Sequence, residues 1–290
     1  MTIRTCGLNF ADLLIQNGTY QDIPATPFTL GMEIAGEINA IGESVEGFNL
    51  GDRVAVYAGQ GGLAEEGVFD ADRVVRVPDS MSFEQAAGFL VAYGTSHMAL
   101  AHRARLKSGE TLLVTGAAGG VGLTAVEIGK LMGATVVAHA RGAAKLEVAR
   151  AAGADHLVDD GEDLRQYLLD LGGADVVYDA VGGAAFKAAF RAMRPEGRLI
   201  AIGFASGEVP QIPANHLMVK NLDVIGFYIG GYMKFRPDAV RESFATLMRW
   251  FDEGRLKPHI SNVLPLDQVE EGMALLRERK STGKVVIRVS

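Results

Sequence analysis

The chain has 290 residues, of which 48% are hydrophobic and 22% charged, with a net charge of −7. That length carries two domains with buried cores, and the composition excludes a disordered chain. The acidic balance excludes a protein that holds nucleic acid through a basic surplus, no apolar run is long enough to span a bilayer as a helix, and the single cysteine, Cys6, cannot form an intramolecular disulfide.

From Met1 to about Pro78 the pattern is strand and turn. Asp12 to Gln16 reads as a short helical turn. Glu33–Ile41 and Arg53–Tyr57 read as strands, punctuated by Gly31, Gly36, Gly42, Gly47 and Gly51. Val68 and Val74–Val77 read as further strands, and Pro78-Asp79-Ser80 closes the segment. Ser82 to Glu84 is a helix start, and Ala86–Leu106 is rich in helix formers. Strands and helices then alternate. Strands are expected at Thr111–Thr115, Thr135–Ala140, His156–Val158, Val176–Asp179, Arg198–Gly203 and Val224–Gly226. Helices are expected at Val121–Met132, Lys145–Ala152, Leu164–Leu171, Ala184–Met193 and Ala239–Phe251. Such alternation predicts a parallel sheet covered on both faces, a doubly wound Rossmann arrangement with its ligand beyond the carboxyl ends of the strands. The tail returns to strand, Ser261–Leu264 and Lys284–Val289, around an amphipathic helix over Leu266–Lys280. The domains expected are 1–90, β-rich; 91–232, dinucleotide-binding; and 233–290, a segment returning to the first.

The richest local signal is Val114-Thr115-Gly116-Ala117-Ala118-Gly119-Gly120-Val121-Gly122, with a strand before it and a helix after it. Glycines permit a tight turn and close backbone approach, and a helix N-terminus favours an anion. Ala117, Gly119, Gly120, Val121 and Gly122 are therefore expected to cradle the pyrophosphate of a dinucleotide. An NAD site places a carboxylate at the tip of the following strand. Here the tip is Ala140-Arg141-Gly142, with Lys145 one turn on. A guanidinium suits the 2′-phosphate of NADPH, with Lys145 as a second positive charge. The alternative is that both are solvated surface charges, and Asp159 and Asp160 at the end of the next strand oppose a phosphate. Gly203, Phe204, Phe227 and Tyr228 follow strand ends and are expected to border the nicotinamide. Phe227 and Tyr228 read equally as core aromatics. No Gly-x-Ser-x-Gly elbow supports an acyl-transfer hydrolase.

Several motifs in order resemble one family. Gly109-Glu110-x-x-Leu113-x-x-x-Ala117-Ala118-Gly119-Gly120-x-Gly122, ending in Lys130, resembles the signature of the zinc-independent quinone oxidoreductases (zeta-crystallin type) of the medium-chain dehydrogenase/reductase superfamily. Cys6-Gly7-Leu8-Asn9-Phe10-Ala11-Asp12, Gly18-Thr19-Tyr20, Asp179-Ala180-Val181-Gly182-Gly183 and Thr282-Gly283-Lys284-Val285-Val286 fit the same family. Gly31-Met32-Glu33-x-x-Gly36, Gly42 and Gly51-Asp52-Arg53-Val54 resemble its GroES-like catalytic domain. Glu127 departs from the family's usual Gln. The resemblance covers nearly the whole chain. It also implies strands ahead of Cys6 that this chain lacks, so an incomplete catalytic domain is expected, and with it poorer solubility or activity than a form extended upstream.

The resemblance implies hydride transfer from NADPH to a quinone or other electron-poor carbonyl without zinc. Zinc-dependent relatives have Cys and His where this chain has Asn9 and Met32, and the six histidines are dispersed. Asn9 is the expected donor to the acceptor oxygen, Tyr20 a pocket residue that relays a proton, and Asp12 a residue that orients Asn9 or the nicotinamide ribose. As packing aromatic and helix cap, Tyr20 and Asp12 would do nothing chemical. Thr95 is expected near the nicotinamide, and Lys284 among the cofactor contacts. The alternatives are an enoyl reductase of the same fold and a catalytically idle NADPH-binding or structural protein. A small-molecule acceptor, no nucleic acid, no membrane, a cytoplasmic location and a homodimer paired near Val224–Gly226 complete the expectation.

Overall fold

Strand β1 (Thr2–Leu8) runs through the middle of a six-stranded sheet, and its last four residues are buried on both faces. It leads into α1 (Phe10–Gln16), β2 (Glu33–Glu37), β3 (Arg53–Tyr57), β4 (Val74–Arg76) and α2 (Phe83–Ala87). The computed structural model describes all 290 residues, which divide into two units, Met1–Ala92 with Phe244–Ser290, and Tyr93–Ser243. β2 stops at Glu37, four residues short of the expected Ile41. Val68, read from sequence as a strand residue, is 99% exposed outside any strand. The chain around it pairs two residues earlier, through the bridge of Glu66 to Thr2. The helix former-rich Ala86–Leu106 is broken: α2 ends at the Gly88 cap, α3 covers Leu90–His97, and a π-helical stretch follows over Met98–Arg103.

The second unit holds β5 (Thr111–Thr115), α4 (Gly120–Leu131), β6 (Thr135–Ala140), α5 (Ala143–Ala151), β7 (His156–Asp159), α6 (Leu164–Asp170), β8 (Ala174–Asp179), α7 (Gly183–Arg191), β9 (Met193–Ala201), α8 (Ala214–Lys220), β10 (Asp223–Gly226) and α9 (Ile229–Phe235). The sheet order is β10-β9-β8-β5-β6-β7, all parallel. The chain leaves β5 towards one edge and returns to its other side at β8, so the switch point lies at the end of β5. β5 is buried at every position, as a central strand with helices on both faces must be. The helices α8 and α9, absent from the sequence reading, are short, at seven residues each. β9 starts five residues before the expected Arg198.

Cross-strand register explains the edge of this core. Leu113 aligns with Val137 and Val177, and all three join one apolar cluster with Leu199 and Phe186. Two residues on, Thr115 aligns with His139 and Asp179. Because side chains alternate with period two, this polar row crosses three strands on the same face and caps the apolar row at the carboxyl ends.

The chain returns through α10 (Pro237–Asp252), β11 (Ile260–Pro265), α11 (Val269–Arg277) and β12 (Lys284–Arg288). The first unit's sheet is then β11-β12-β1-β2-β3-β4, with β1 antiparallel to both neighbours. α11 buries Met273 against Leu8, Leu13 and Ile287, the stripe expected from its period. Its first turn, Leu266–Gln268, is a 3-10 turn rather than α-helix. No helix is long and apolar enough to cross a membrane.

Candidate functional site

The glycine turn sits at the end of β5. Ala117 and Ala118 are buried, and Ala117 N donates to His139 O at 3.1 Å, which fixes the turn to β6. Gly119 caps α4 without a side-chain acceptor, and a Cβ on Gly122 would run into the Gly116 carbonyl oxygen. The first amides of the twelve-residue helix, those of Gly120, Val121 and Gly122, therefore have no intrahelical partner and no cap. Ser96 Oγ supports this turn by donating to Val121 O at 2.8 Å. Such a cradle fits the pyrophosphate of a dinucleotide.

The other strand ends lie along the same edge. Arg141 follows β6, is exposed, and makes no hydrogen bond or ion pair. Lys145 is half-buried in the first turn of α5. At the end of β7, Asp159 Oδ2 accepts from Gly142 N at 2.6 Å and Oδ1 from Gly161 N at 3.1 Å, and these amides hold its carboxyl below the usual carboxylate range. Asp160 Oδ1 lies 3.5 Å from Nε2 of the buried His139, whose Nδ1 has no partner. Burial lowers the His139 pKa, against the nearby carboxylates, Asp160 foremost.

Asp179, at the end of β8, takes Thr115 Oγ1 at 2.5 Å and Val181 N and Gly182 N at 3.2 Å. Burial raises its pKa, opposed chiefly by the Thr115 hydroxyl. Asp179 O accepts from Ile202 N and Gly203 N, so the backbone after β9 is tied to the β8 end. Phe204 follows, 41% exposed. Phe227, after β10, packs on Tyr232 with centroids 5.5 Å apart. Thr95 is buried on α3. Glu127, the departure from the family pattern, accepts the Tyr93 hydroxyl at 2.6 Å. The turn residues, Arg141, Gly203, Phe204 and Phe227 thus gather along the carboxyl edge of one sheet.

Lys284 opens β12. It lies in the first unit, where its ammonium donates to Leu8 O at 3.0 Å, to Asn9 Oδ1 at 2.7 Å and to Glu33 Oε1. The Lys284 and Glu33 side chains are 6% and 1% exposed. Asn9 caps α1, and its amide nitrogen donates to Glu33 Oε1 at 3.0 Å and Gly7 O at 3.2 Å. Both amide hydrogens and the amide oxygen are thereby engaged. Glu33 Oε2 accepts from Val91 N at 3.0 Å. Asp12 Oδ2 accepts from Asn9 N at 2.8 Å, while Oδ1 is buried without a hydrogen bond. Tyr20 is half-buried in the segment after α1. Cys6 is fully buried, and burial followed by the Asp12 charge pushes its thiol well up, which makes it a poor nucleophile.

Burial, partly offset by the Asn9 amide and Lys284, raises the Asp12 pKa to about 6. A carboxyl with a raised folded-state pKa stabilises the fold below its unfolded value, and that contribution is lost as pH rises through about 6. Asp12→Asn, which keeps an acceptor for the Asn9 amide, is therefore expected to be more stable than the parent at pH 8 by about 2–3 kcal/mol. The advantage disappears below about pH 4. Urea unfolding at both pH values checks it, and equal stability at pH 8 overturns it.

Sequence reasoning passed over the linking roles of Glu33 and Asp179, although both lie in motifs it quoted. A carboxylate between apolar residues, as in Met32-Glu33-Ile34, was the available signal, because a buried charge requires a partner.

Residues 1–79 match the family model for the alcohol dehydrogenase GroES-like domain, and residues 120–253 the one for zinc-binding dehydrogenases. The donor set does not fit zinc: the Asn9 amide meets a carboxylate already paired with Lys284, Met32 offers only a thioether, and no group of three His, Cys, Asp or Glu side chains gathers. A quinone oxidoreductase-like protein 2 homolog of Nematostella vectensis is 42% identical over 99% of this chain and 80% of its own length. The quinone oxidoreductase of Thermus thermophilus, solved also in complex with NADPH, is 31% identical with a TM-score of 0.88, covering all of this chain and 90% of its own. The CurK enoyl reductase is 26% identical with a TM-score of 0.90, over all of this chain and 90% of its own. With the doubly wound sheet, the GroES-like sheet and these likenesses together, the chain belongs to the medium-chain dehydrogenase/reductase superfamily, among the quinone oxidoreductase-like oxidoreductases.

Proposed function

We propose that this chain is an NADPH-dependent, zinc-independent oxidoreductase that passes hydride to a quinone or related electron-poor carbonyl. The observation that carries the reading is the uncapped glycine turn with the unpaired Arg141 at the next strand tip. The NADPH complex of the Thermus thermophilus relative supports the cofactor. When bound, NADPH supplies the hydride. The chain's own residues then orient and polarise: Gly120, Val121 and Gly122 hold the pyrophosphate, and Arg141 with Lys145 the 2′-phosphate. Thr95, Gly203, Phe204 and Phe227 border the nicotinamide. Asn9, with its amide engaged by Glu33, Gly7 and Lys284, acts as a positioning residue, and Asp12 holds its backbone. Tyr20 serves the proton on the acceptor oxygen.

Paired titrations of NADPH and NADH, followed by an acceptor screen, test this. Arg141→Ala is expected to weaken NADPH about tenfold more than NADH. Equal loss of both removes the assignment. Turnover with 1,4-benzoquinone or 9,10-phenanthrenequinone supports the quinone reading. The CurK likeness favours a second reading, enoyl reduction, which turnover with crotonyl-CoA or acryloyl-CoA alone supports. NADPH binding without oxidation by any acceptor supports an idle binding protein. β10 is the last strand of its sheet, and Met218 and Val219 on α8, which precedes it in the chain, are exposed. We assign a homodimer to that edge, which light scattering at a monomer mass would refute.

A further inference from the structure

We propose that Asp159 is a specificity-determining residue of the cofactor site, a fixed negative charge that weakens selection for the 2′-phosphate; this rests on the dinucleotide reading above. The ribose 2′ position of a dinucleotide lies at the tip of the second strand of such a sheet, here the end of β6. Two groups at that tip attract an anion. One is the Arg141 guanidinium, exposed and unpaired. The other is the amide of Gly142, which opens α5 at φ 86 with nothing within 4 Å of where a Cβ would stand.

The Gly142 amide is already taken. Asp159 Oδ2 accepts it at 2.6 Å, and Gly161 N holds the other oxygen at 3.1 Å. Glu162 Oε1 accepts from Asp159 N at 2.8 Å, which locks the loop. The carboxylate and the guanidinium therefore share one rim without pairing, and they act on a phosphate with opposite sign. The two backbone amides hold the carboxylate in its charged form. His139, beside Asp160, is buried, and burial disfavours its charged form. Arg141 selects for NADPH, while Asp159 both fills the amide a phosphate would use and repels its charge.

The test compares parent and Asp159→Asn by calorimetry with NADPH, NADH and adenosine 2′,5′-bisphosphate. Asn keeps an acceptor for the Gly142 amide and removes the charge. The variant is expected to bind NADPH and the bisphosphate about tenfold more tightly, with NADH changed by less than about twofold. The gain shrinks at about 0.5 M salt. Adding Arg141→Ala to the variant returns NADPH affinity to about the parent level or below. An unchanged or lowered preference for NADPH over NADH overturns the proposal alone. A parent that binds none of the three ligands overturns the dinucleotide reading and this proposal with it.

Discussion

Lys284→Met is expected to lose about 3–5 kcal/mol of stability, a large share of the about 5–15 kcal/mol that holds a native protein folded. The reason is the place of the ammonium. Its three hydrogens go to Leu8 O, Asn9 Oδ1 and Glu33 Oε1, and both members of the ion pair are buried. Removing the cation leaves the Glu33 carboxylate in the core with two weaker donors, the Asn9 amide and Val91 N. An uncompensated buried charge is far more costly than a missing contact. Glu33→Gln combined with Lys284→Met removes both charges and is expected to recover more than half of the loss. Urea unfolding of the parent, the single variant and the double variant measures this. A single variant within about 1 kcal/mol of the parent, or a double variant no better than the single, would show that the pair contributes little.

The second large effect is expected at Gly122. Its alanine variant places a methyl group against the Gly116 carbonyl oxygen, so the turn must open. NADPH affinity should fall on the order of a hundredfold or more, because the amides proposed to hold the pyrophosphate lose their common aim. Gly119→Ala separates this from general damage. Gly119 has φ −80 and ψ 174, ordinary extended backbone, and its Cβ would meet only Gly116 O at 3.4 Å. That variant should melt within a few degrees of the parent yet still bind NADPH more weakly, since its methyl group lies on the exposed side of the turn. Thermal melts and fluorescence titration of NADPH check both. A Gly122→Ala protein that binds like the parent would mean that the turn is not the phosphate site.

The parallel sheet was legible because its signals are local. Strand and helix announce themselves by period, and the order of alternation leaves few topologies open. The turn was legible for the same reason: Gly122 is required by a contact only six residues away, with Gly116. Where local signals are weak, sequence and structure part. Val68 is apolar enough for a strand but stands in solvent, and α8 buries none of its residues, so no stripe marks it.

The amino-acid sequence by itself determined the family, the sheet and the glycine turn at the end of β5, since hydrophobic period and glycine geometry act over a few residues. Only the tertiary structure decided what the charged groups do. Lys284 stands in a family motif near the end of the chain, and its ammonium meets Asn9, 275 residues earlier. Asp159 reaches back 17 residues to close the Gly142 amide that Arg141 leaves open. A side-chain charge has no period and no local partner to reveal it. Its role is set by desolvation and by whichever opposite charge or amide the fold brings within about 3 Å, and those groups come from distant strands.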